Sequence, residues 1–261
     1  MTKIKSKKKF GQHFLINEEL ASDITKKLIF RDSIIEIGPG KGVLTKNLLA
    51  QKVSNLVVSE IDNDLVTYLS IRFPGLKIIS GDILTLDFNK LFENKFSIIG
   101  NLPYNISSQI IFKILDNRDK ILEFVIMLQK EVAERICSAY NKKSYGILSV
   151  LTQTYYNMSL SEKILPNNFE PPPRVDSCVI HAVRNDNIDI GIGYNKFKTI
   201  VKNCFQNRRK TLRNSLKNLN LPKEFTSSDI FSSRAEQLKL NDFIWLSKEI
   251  NKINHEVRTN K

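Results

Sequence analysis

Short apolar runs alternate with helical patterns along the first half of the chain. The apolar runs predict strands at residues 33–37, 56–60, 76–80, 96–100 and 124–128. Between them, apolar residues recurring every three to four positions predict helices near residues 43–51, 63–72, 107–116 and 130–139. Strands that alternate with helices are joined by right-handed crossovers into a parallel sheet covered on both faces.

The pattern changes in the second half. Apolar runs at residues 158–165 and 177–183 flank three consecutive prolines and predict a closing antiparallel pair. Beyond residue 183 only helical patterns remain, at 194–219, 227–230 and 241–254. We therefore expect an α/β fold, an open doubly wound sheet with a small all-helical C-terminal domain.

The domain boundary is expected in the linker that contains Gly191 and Gly193. We assign residues 1–190 to the sheet domain and residues 191–261 to the helical domain. Within the first, residues 1–16 form a basic N-terminal arm that continues into the ligand pocket.

The net charge of +13 is carried by two segments. Residues 1–9 hold five lysines, and residues 196–217 hold eight basic residues with no acidic one, so these segments account for the whole excess. Lysine-rich faces are commonly only solvated, but a concentrated excess favours a polyanionic partner. Neither segment is an amphipathic helix of the membrane-surface type, so nucleic acid is the expected partner.

Composition narrows the class of protein further. At 41% hydrophobic residues the chain of 261 residues can bury a core, and its apolar runs are too short to cross a membrane. The cysteines and histidines are isolated, so neither a disulfide framework nor a metal site is expected. We expect a cytoplasmic, metal-free, monomeric protein.

A glycine-rich loop follows the first strand of the sheet. Residues 36–42 read Glu-Ile-Gly-Pro-Gly-Lys-Gly. Its last glycine comes one residue earlier than in the GxGxxG loop that binds pyrophosphate. The pattern resembles the first motif of Rossmann-like methyltransferases, whose cofactor carries a cationic sulfonium. The alternative is an ordinary tight turn.

Two carboxylates follow the next strands. Glu60 ends the second strand, 22 residues after Gly38, where a carboxylate accepts hydrogen bonds from ribose hydroxyls. Asp82 follows the third strand and is placed to accept from an adenine amine. Asp62 and Asp64 come next after Glu60, and we expect them to cap the following helix.

The fourth strand ends in the tetrapeptide Asn101-Leu102-Pro103-Tyr104. Acceptors on both hydrogens of an adenine amine, the Asn101 side-chain oxygen and a carbonyl of Leu102 or Pro103, would free the nitrogen lone pair. Tyr104 offers a face on which the base can stack. A paired base cannot reach such a pocket, so the target must be flipped out or unpaired. The alternative is a turn that merely ends the strand.

These motifs and others resemble the ribosomal RNA adenine dimethyltransferases, which modify two adjacent adenines near the 3′ end of small-subunit rRNA. The resemblance covers about residues 10–240 and includes the segments 10–15 (FGQHFL), 101–107 (NLPYNIS), 128–132 (LQKEV), 169–177 (FEPPPRVDS) and 208–216 (RRKTLRNSL). It implies a Rossmann-like methyltransferase fold, S-adenosylmethionine as the cofactor and a role in ribosome biogenesis.

The resemblance also implies which residues contact the cofactor, namely His13, Leu15, Gly38, Glu60, Asp82 and Asn101, with Gly40 in the same loop. His13 stands where many relatives have asparagine, so it could contact the cofactor through its backbone or its side chain. A loop histidine outside the chemistry is the alternative.

Two further regions are candidates for choosing the substrate. Phe169, before the stiff triple proline, could close over the base opposite Tyr104 or could anchor the loop in the core. In the C-terminal domain we expect a helix break near Asn207 that presents Arg208, Arg209, Lys210 and Arg213 to RNA phosphates.

Three other functions remain as alternatives. A large-subunit rRNA adenine methyltransferase of the macrolide-resistance type would share the fold, the cofactor and the Asn-x-Pro-Tyr loop. DNA adenine methylation is less favoured, because no target-recognition domain is visible. A non-catalytic ribosome-assembly factor could keep the fold and use it only for binding, although Glu60, Asp82 and Asn101 are all present.

Overall fold

The computed structural model describes residues 5–259, with side chains described as far as residue 255. Lys3, part of the basic N-terminal arm, therefore lies outside the described residues. The described chain divides into two compact units, one formed by residues 1–133 and 156–184 and the other by residues 134–155 and 185–261. The second unit thus includes a segment from the middle of the chain as well as the C-terminal helices that the sequence predicted.

The first unit contains nine strands. They are β1 (Phe14–Leu15), β2 (Ser33–Ile37), β3 (Asn55–Glu60), β4 (Lys77–Ser80), β5 (Phe96–Asn101), β6 (Ile121–Gln129), β7 (Tyr156–Leu160), β8 (Phe169–Glu170) and β9 (Ser177–Arg184). Seven of them form one sheet in the order β4-β3-β2-β5-β6-β9-β7. β2 to β6 are parallel, and β9 pairs antiparallel with both β6 and β7. The predicted mixed sheet with a closing antiparallel pair is confirmed.

Strand order reverses at β2, because β3 lies on one side of it and β5 on the other. Ile37 at the end of β2 is in register with Gly100 near the end of β5. The loops that follow these two strands therefore leave the sheet side by side, at the place where doubly wound sheets bind ligands.

Helices alternate with these strands. They are α1 (Glu18–Lys26), α2 (Val43–Ala50), α3 (Asn63–Arg72), α4 (Ser107–Asp116) and, leaving β6, α5 (Lys130–Ile136). Two of them begin at a side-chain cap: Asn17 accepts from the Leu20 amide at the start of α1, and Asp62 accepts from the Asp64 amide at the start of α3. The expectation that Asp62 caps a helix is confirmed.

The core explains why the sequence shows unbroken apolar runs. β2 and β3 are buried on both faces, with Ile34, Ile35 and Val57 fully inaccessible. On one face, residues of β2 and β3 pack with α1 and α2, and Leu15 and Phe169 of a small two-stranded sheet join them. Neither α1 nor the small β1–β8 sheet was predicted.

The second unit is helical. Its helices are α6 (Ile147–Tyr155), α7 (Tyr194–Phe205), α8 (Leu212–Ser215), α9 (Lys223–Thr226) and α10 (Leu240–Thr259). α7 buries the apolar face that its sequence predicts, including Phe197, Val201 and Cys204. It ends before Asn207, as expected, and the chain turns before α8 begins. None of the helices among the described residues is long and apolar enough to span a membrane.

Candidate active site

The loop after β2 turns with its glycines in the left-handed region. Gly38 has φ of +64° and Gly40 has φ of +57°, which residues with a Cβ atom rarely adopt. A Cβ on Gly40 would lie 2.8 Å from the Phe14 ring. Glycine is therefore needed at position 40 both for the backbone conformation and for the close approach of the N-terminal segment.

Glu60 at the end of β3 is 4% exposed and is held by backbone amides. Its carboxylate accepts from Ile61 and Asp62, both at 3.0 Å, and from Gly40 at 3.3 Å. Burial raises the pKa of Glu60, and the amide donors oppose that rise. These amides use both lone pairs of Oε1 and one of Oε2, so the fixed carboxylate can still accept from a ligand hydroxyl through Oε2.

Glu36, within β2, is a second buried acid beside the same loop. Its Oε2 accepts from the Thr45 hydroxyl at 2.6 Å, whereas Oε1 is buried and has no hydrogen-bond partner among the described residues. Burial raises the pKa of Glu36 to about 8. A buried acceptor without a partner, beside a second acid, favours a cationic or hydrogen-bond-donating ligand.

Asp82 follows β4 and is half-buried. Its Oδ1 accepts from the Leu84 amide at 2.9 Å, which fixes the side chain in a turn. The neighbouring Gly81 amide donates to the Glu60 carbonyl at 2.9 Å. Glu60 and Asp82 are therefore linked by a backbone hydrogen bond between Glu60 and the residue that precedes Asp82.

The Asn-Leu-Pro-Tyr segment leaves β5 beside the glycine loop. Asn101 Nδ2 donates to the His13 carbonyl at 2.8 Å, and the Leu102 amide donates to the Met127 carbonyl at 3.0 Å. The Pro103 carbonyl already accepts from the Ile106 amide at 3.2 Å. Of the two backbone acceptors that the sequence left open, Leu102 is therefore the better placed for a substrate amine.

The N-terminal segment, residues 7–15, is tied to the start of α3. Lys7 Nζ lies 2.5 Å from Asp62 and 2.6 Å from Asp64, and Gln12 donates to Asp62 at 3.1 Å. Burial alone would raise the pKa of Asp62, but the hydrogen bonds from Lys7 and Gln12 outweigh it and lower that pKa. From the sequence, Lys7 was counted among the basic residues expected to bind a polyanionic partner. In the structure its ammonium is instead paired within the protein.

One pocket is lined by the glycine loop, the three acids Glu36, Glu60 and Asp82, and the Asn-Leu-Pro-Tyr segment. It measures about 870 Å³, including its mouth open to solvent. All the candidate cofactor residues line it together with Leu102, Pro103 and Tyr104, and so do three groups to which the sequence gave no role, Gln12, Phe14 and Glu36. Glu36 could have been identified, because it precedes the glycine loop at a fixed spacing.

Phe169 is the exception among the candidate site residues. Its side chain is 3% exposed and packs in the core cluster with Leu15, Ile164 and Val179. It does not line the pocket. In this structure Phe169 anchors the loop in the core, which was one of the two roles that the sequence left open. Its closing over the target base opposite Tyr104 stays a prediction.

The basic block of the second unit contains two kinds of residue. Arg208 donates to the carbonyls of Lys143 and Tyr145 and pairs with Glu236 at 3.3 Å, and Arg213 donates to the Thr226 carbonyl at 3.1 Å. The side chains of Arg209 and Lys210 are exposed and make no such contact among the described residues. All four side chains are exposed, but Arg208 and Arg213 are engaged by partners within the unit, whereas Arg209 and Lys210 face solvent.

Comparison with known proteins gives a consistent result along nearly the whole chain. The sequence profile described as Ribosomal RNA adenine dimethylase matches residues 3–252. The curated protein named Ribosomal RNA small subunit methyltransferase A from Flavobacterium johnsoniae is 49% identical over 255 residues, covering 96% of this chain and 97% of its own length. A protein of the same name from Parabacteroides distasonis is 47% identical, with 95% and 94% covered.

Solved structures show the same likeness. A dimethyladenosine transferase from Plasmodium falciparum superposes with a TM-score of 0.79 and 25% identity, covering 93% of this chain and 98% of that one. The 23S rRNA methyltransferase ErmE superposes with a TM-score of 0.63 and 22% identity, covering 91% and 99%. The second likeness shows the fold alone.

Proposed function

The chain belongs to the ribosomal RNA adenine dimethylase family, and we propose that it methylates two adjacent adenosines near the 3′ end of small-subunit rRNA. The product is N6,N6-dimethyladenosine, the methyl donor is S-adenosylmethionine, and the substrate is rRNA within a small ribosomal subunit or its precursor. The names of relatives at 47–49% identity support the choice of subunit. The monomeric state and cytoplasmic location stay predictions.

One observation carries the proposal: Glu36 in β2, Glu60 at the end of β3, Asp82 after β4 and the Asn-Leu-Pro-Tyr segment at the end of β5 line one pocket. The hydrogen-bond acceptors that line the pocket fit the cofactor. Glu60 has acceptor capacity left on Oε2 for a ribose hydroxyl, and the unpartnered Oε1 of Glu36 suits a polar group of the cofactor. Asp82 is placed to accept from the adenine amine of the cofactor.

The protein's own contribution to the transfer is positioning. When bound, S-adenosylmethionine supplies an electrophilic methyl group to the N6 nitrogen and leaves as S-adenosylhomocysteine, while one N6 proton passes to water. Asn101 Oδ1 and the Leu102 carbonyl accept from the N6 hydrogens, so the nitrogen lone pair is less delocalised into the ring. Tyr104 supplies the stacking face that holds the unpaired base in line for attack.

Contact with RNA outside the pocket is assigned to the exposed cations of the second unit. Arg209 and Lys210 are available for phosphates, whereas Arg208 and Arg213 already have partners within that unit. We therefore narrow the RNA-binding assignment from all four residues to these two.

The decisive experiment offers unmethylated small and large ribosomal subunits with labelled S-adenosylmethionine, followed by nucleoside analysis of the rRNA. We expect dimethyladenosine in the small subunit without added metal. Label in the large subunit would instead support the macrolide-resistance type. Binding without any transfer would support a non-catalytic assembly factor.

A further inference from the structure

The phenol of Tyr104 is held by a serine that the sequence left without a role. Tyr104 Oη and Ser177 Oγ lie 2.5 Å apart, and either can be the donor. Ser177 is fully buried at the start of β9, and its backbone amide and carbonyl both bond to Ile164, at 2.9 and 2.7 Å. The hydroxyl that meets Tyr104 is therefore fixed by the sheet.

A second contact holds the face of the same ring. The His13 ring stacks on Tyr104 with centroids 5.6 Å apart and planes inclined by 26°. His13 Nδ1 in turn donates to the Pro171 carbonyl at 2.8 Å. Ser177 thus restrains the Tyr104 hydroxyl, and His13, which is held by Pro171, restrains one face of the ring. Pro171 and Ser177 are the two ends of the segment 171–177 that begins with the three prolines.

We propose that Ser177 is a positioning residue for the target adenine, which acts by fixing the plane of the Tyr104 ring, with His13 supporting one face of that ring. The inference rests on the proposed function. A stacking face assists in-line attack only if it is already oriented when the base enters, and small displacements of a bound base are costly to the rate.

The second methyl transfer should depend on this restraint more than the first. An unmodified adenine amine offers two hydrogens, one for Asn101 and one for the Leu102 carbonyl. After the first transfer only one hydrogen remains, so stacking on Tyr104 carries a larger share of the positioning. Loss of the Ser177 hydroxyl is therefore expected to leave more product at the monomethyl stage.

The test compares Ser177→Ala, Tyr104→Phe and the double variant, because each single change removes the same hydrogen bond. We expect each to slow the second transfer by about tenfold or more relative to the first, and monomethyladenosine to accumulate. Affinities for S-adenosylmethionine and for the small subunit should be unchanged. The double variant should be no slower than the slower single variant, as expected for two groups that act through one contact.

Ser97→Ala is the matched control. Ser97 is also fully buried in the sheet, but its hydroxyl donates to the Phe30 carbonyl at 2.8 Å, away from Tyr104. This variant should lose thermal stability and keep the wild-type ratio of dimethyl to monomethyl product. Tyr104→Phe, at a half-buried position, keeps the test usable if Ser177→Ala does not fold.

Equal slowing of both transfers, or additive effects in the double variant, would overturn the inference. So would a normal product ratio in Ser177→Ala or, if that variant does not fold, in Tyr104→Phe. Failure of the proposed function would look different, because the wild-type protein itself would then make no dimethyladenosine on small subunits.

Discussion

Asn101 Nδ2 donates a hydrogen bond to the backbone carbonyl of His13 across 2.8 Å. Because the amide nitrogen is engaged, the side-chain oxygen of Asn101 is the acceptor that remains for a ligand. The N-terminal segment, residues 7–15, thereby orients the residue that we propose accepts from the target amine. His13 accordingly contributes through its backbone carbonyl as well as through the ring that supports Tyr104.

Asn101→Ala should abolish methyl transfer while leaving affinity for S-adenosylmethionine within about tenfold, because a net hydrogen bond contributes about 1 kcal/mol and the principal task of Asn101 is on the target amine. Isothermal titration with the cofactor, beside a transfer assay, measures both. Complete loss of cofactor binding with intact RNA binding would show that Asn101 serves the cofactor instead.

Glu60→Ala should produce the opposite result. The Glu60 carboxylate is fixed by three backbone amides, and hydrogen bonds to a charged acceptor are worth about 1.5–3 kcal/mol each. Cofactor affinity should fall by roughly tenfold to a few hundredfold, and affinity for the small subunit should stay. Unchanged cofactor affinity in this variant would show that Glu60 does not bind the cofactor.

The pocket also sets a pH dependence of stability. Glu36 has its pKa raised to about 8 in the folded protein, whereas the unfolded chain releases this proton near the ordinary glutamate pKa of 4.5. A raised folded pKa stabilises fully below the unfolded pKa, and that stability is lost as pH rises through the folded pKa. At about 1.4 kcal/mol per pKa unit, the loss is on the order of a few kcal/mol.

Urea unfolding of wild type and Glu36→Gln at pH 5, 6.5 and 8, with ligand absent, tests this directly. The wild type should lose stability relative to the variant as pH rises, because glutamine carries no proton to release. Parallel profiles would mean that Glu36 ionises in the folded protein as readily as in the unfolded chain.

Lys7→Met should weaken cofactor binding although Lys7 does not line the pocket. Its ammonium joins Asp62 and Asp64, so its loss frees the segment that contributes His13 and Leu15 to the site. We expect a severalfold faster release of S-adenosylhomocysteine in stopped-flow measurements, with Lys7→Arg close to wild type. Lys9→Met is the matched control, because Lys9 is in the same segment but outside this ion pair. Equal release rates in the two methionine variants would contradict the role.

Each part of the site that the sequence predicted can be recognised from one short segment of the chain. The glycine loop, Glu60 and Asn101 each come at the end of a buried strand, and unbroken apolar runs identify such strands in a parallel sheet. Asp82 follows the edge strand β4. Their meeting in one pocket then follows from the strand order. A similar argument predicted the antiparallel pairing of β9, although β7 begins at Tyr156, directly after a helix that was not predicted.

The parts that were missed depend on partners far apart in sequence. Phe169 enters the core because it pairs with Leu15 across a sheet of only two residues per strand, too short to show a period. Lys7 meets Asp62 across 55 positions, and Arg208 meets Tyr145 across 63. A cation seen in the sequence alone looks the same whether its partner is a carboxylate, a carbonyl or a phosphate.

Because the sequence alone does not show which partner a cation has, the last prediction concerns the basic block of the second unit. Neutralising Arg209 and Lys210 together should weaken small-subunit binding and flatten the slope of log affinity against log salt by up to about two units, since each phosphate contact contributes about 0.7–0.9. The melting temperature and cofactor affinity should not change, because both side chains are exposed and the cofactor residues belong to the other unit.

The matched control is the double variant Arg208→Ala/Arg213→Ala. It removes the same charge, but from two residues that have hydrogen-bond partners within the second unit. Both arginines donate to backbone carbonyls, so their loss should lower the melting temperature by several degrees, at about 2–4 °C per kcal/mol for a chain of this size. The salt slope of that pair should stay near the wild type. If instead the Arg208/Arg213 pair flattens the slope and the Arg209/Lys210 pair does not, the arginines exchange their internal partners for phosphates on binding. If neither pair changes the slope, the block does not dock RNA, and the lysines of the N-terminal arm remain as the candidates.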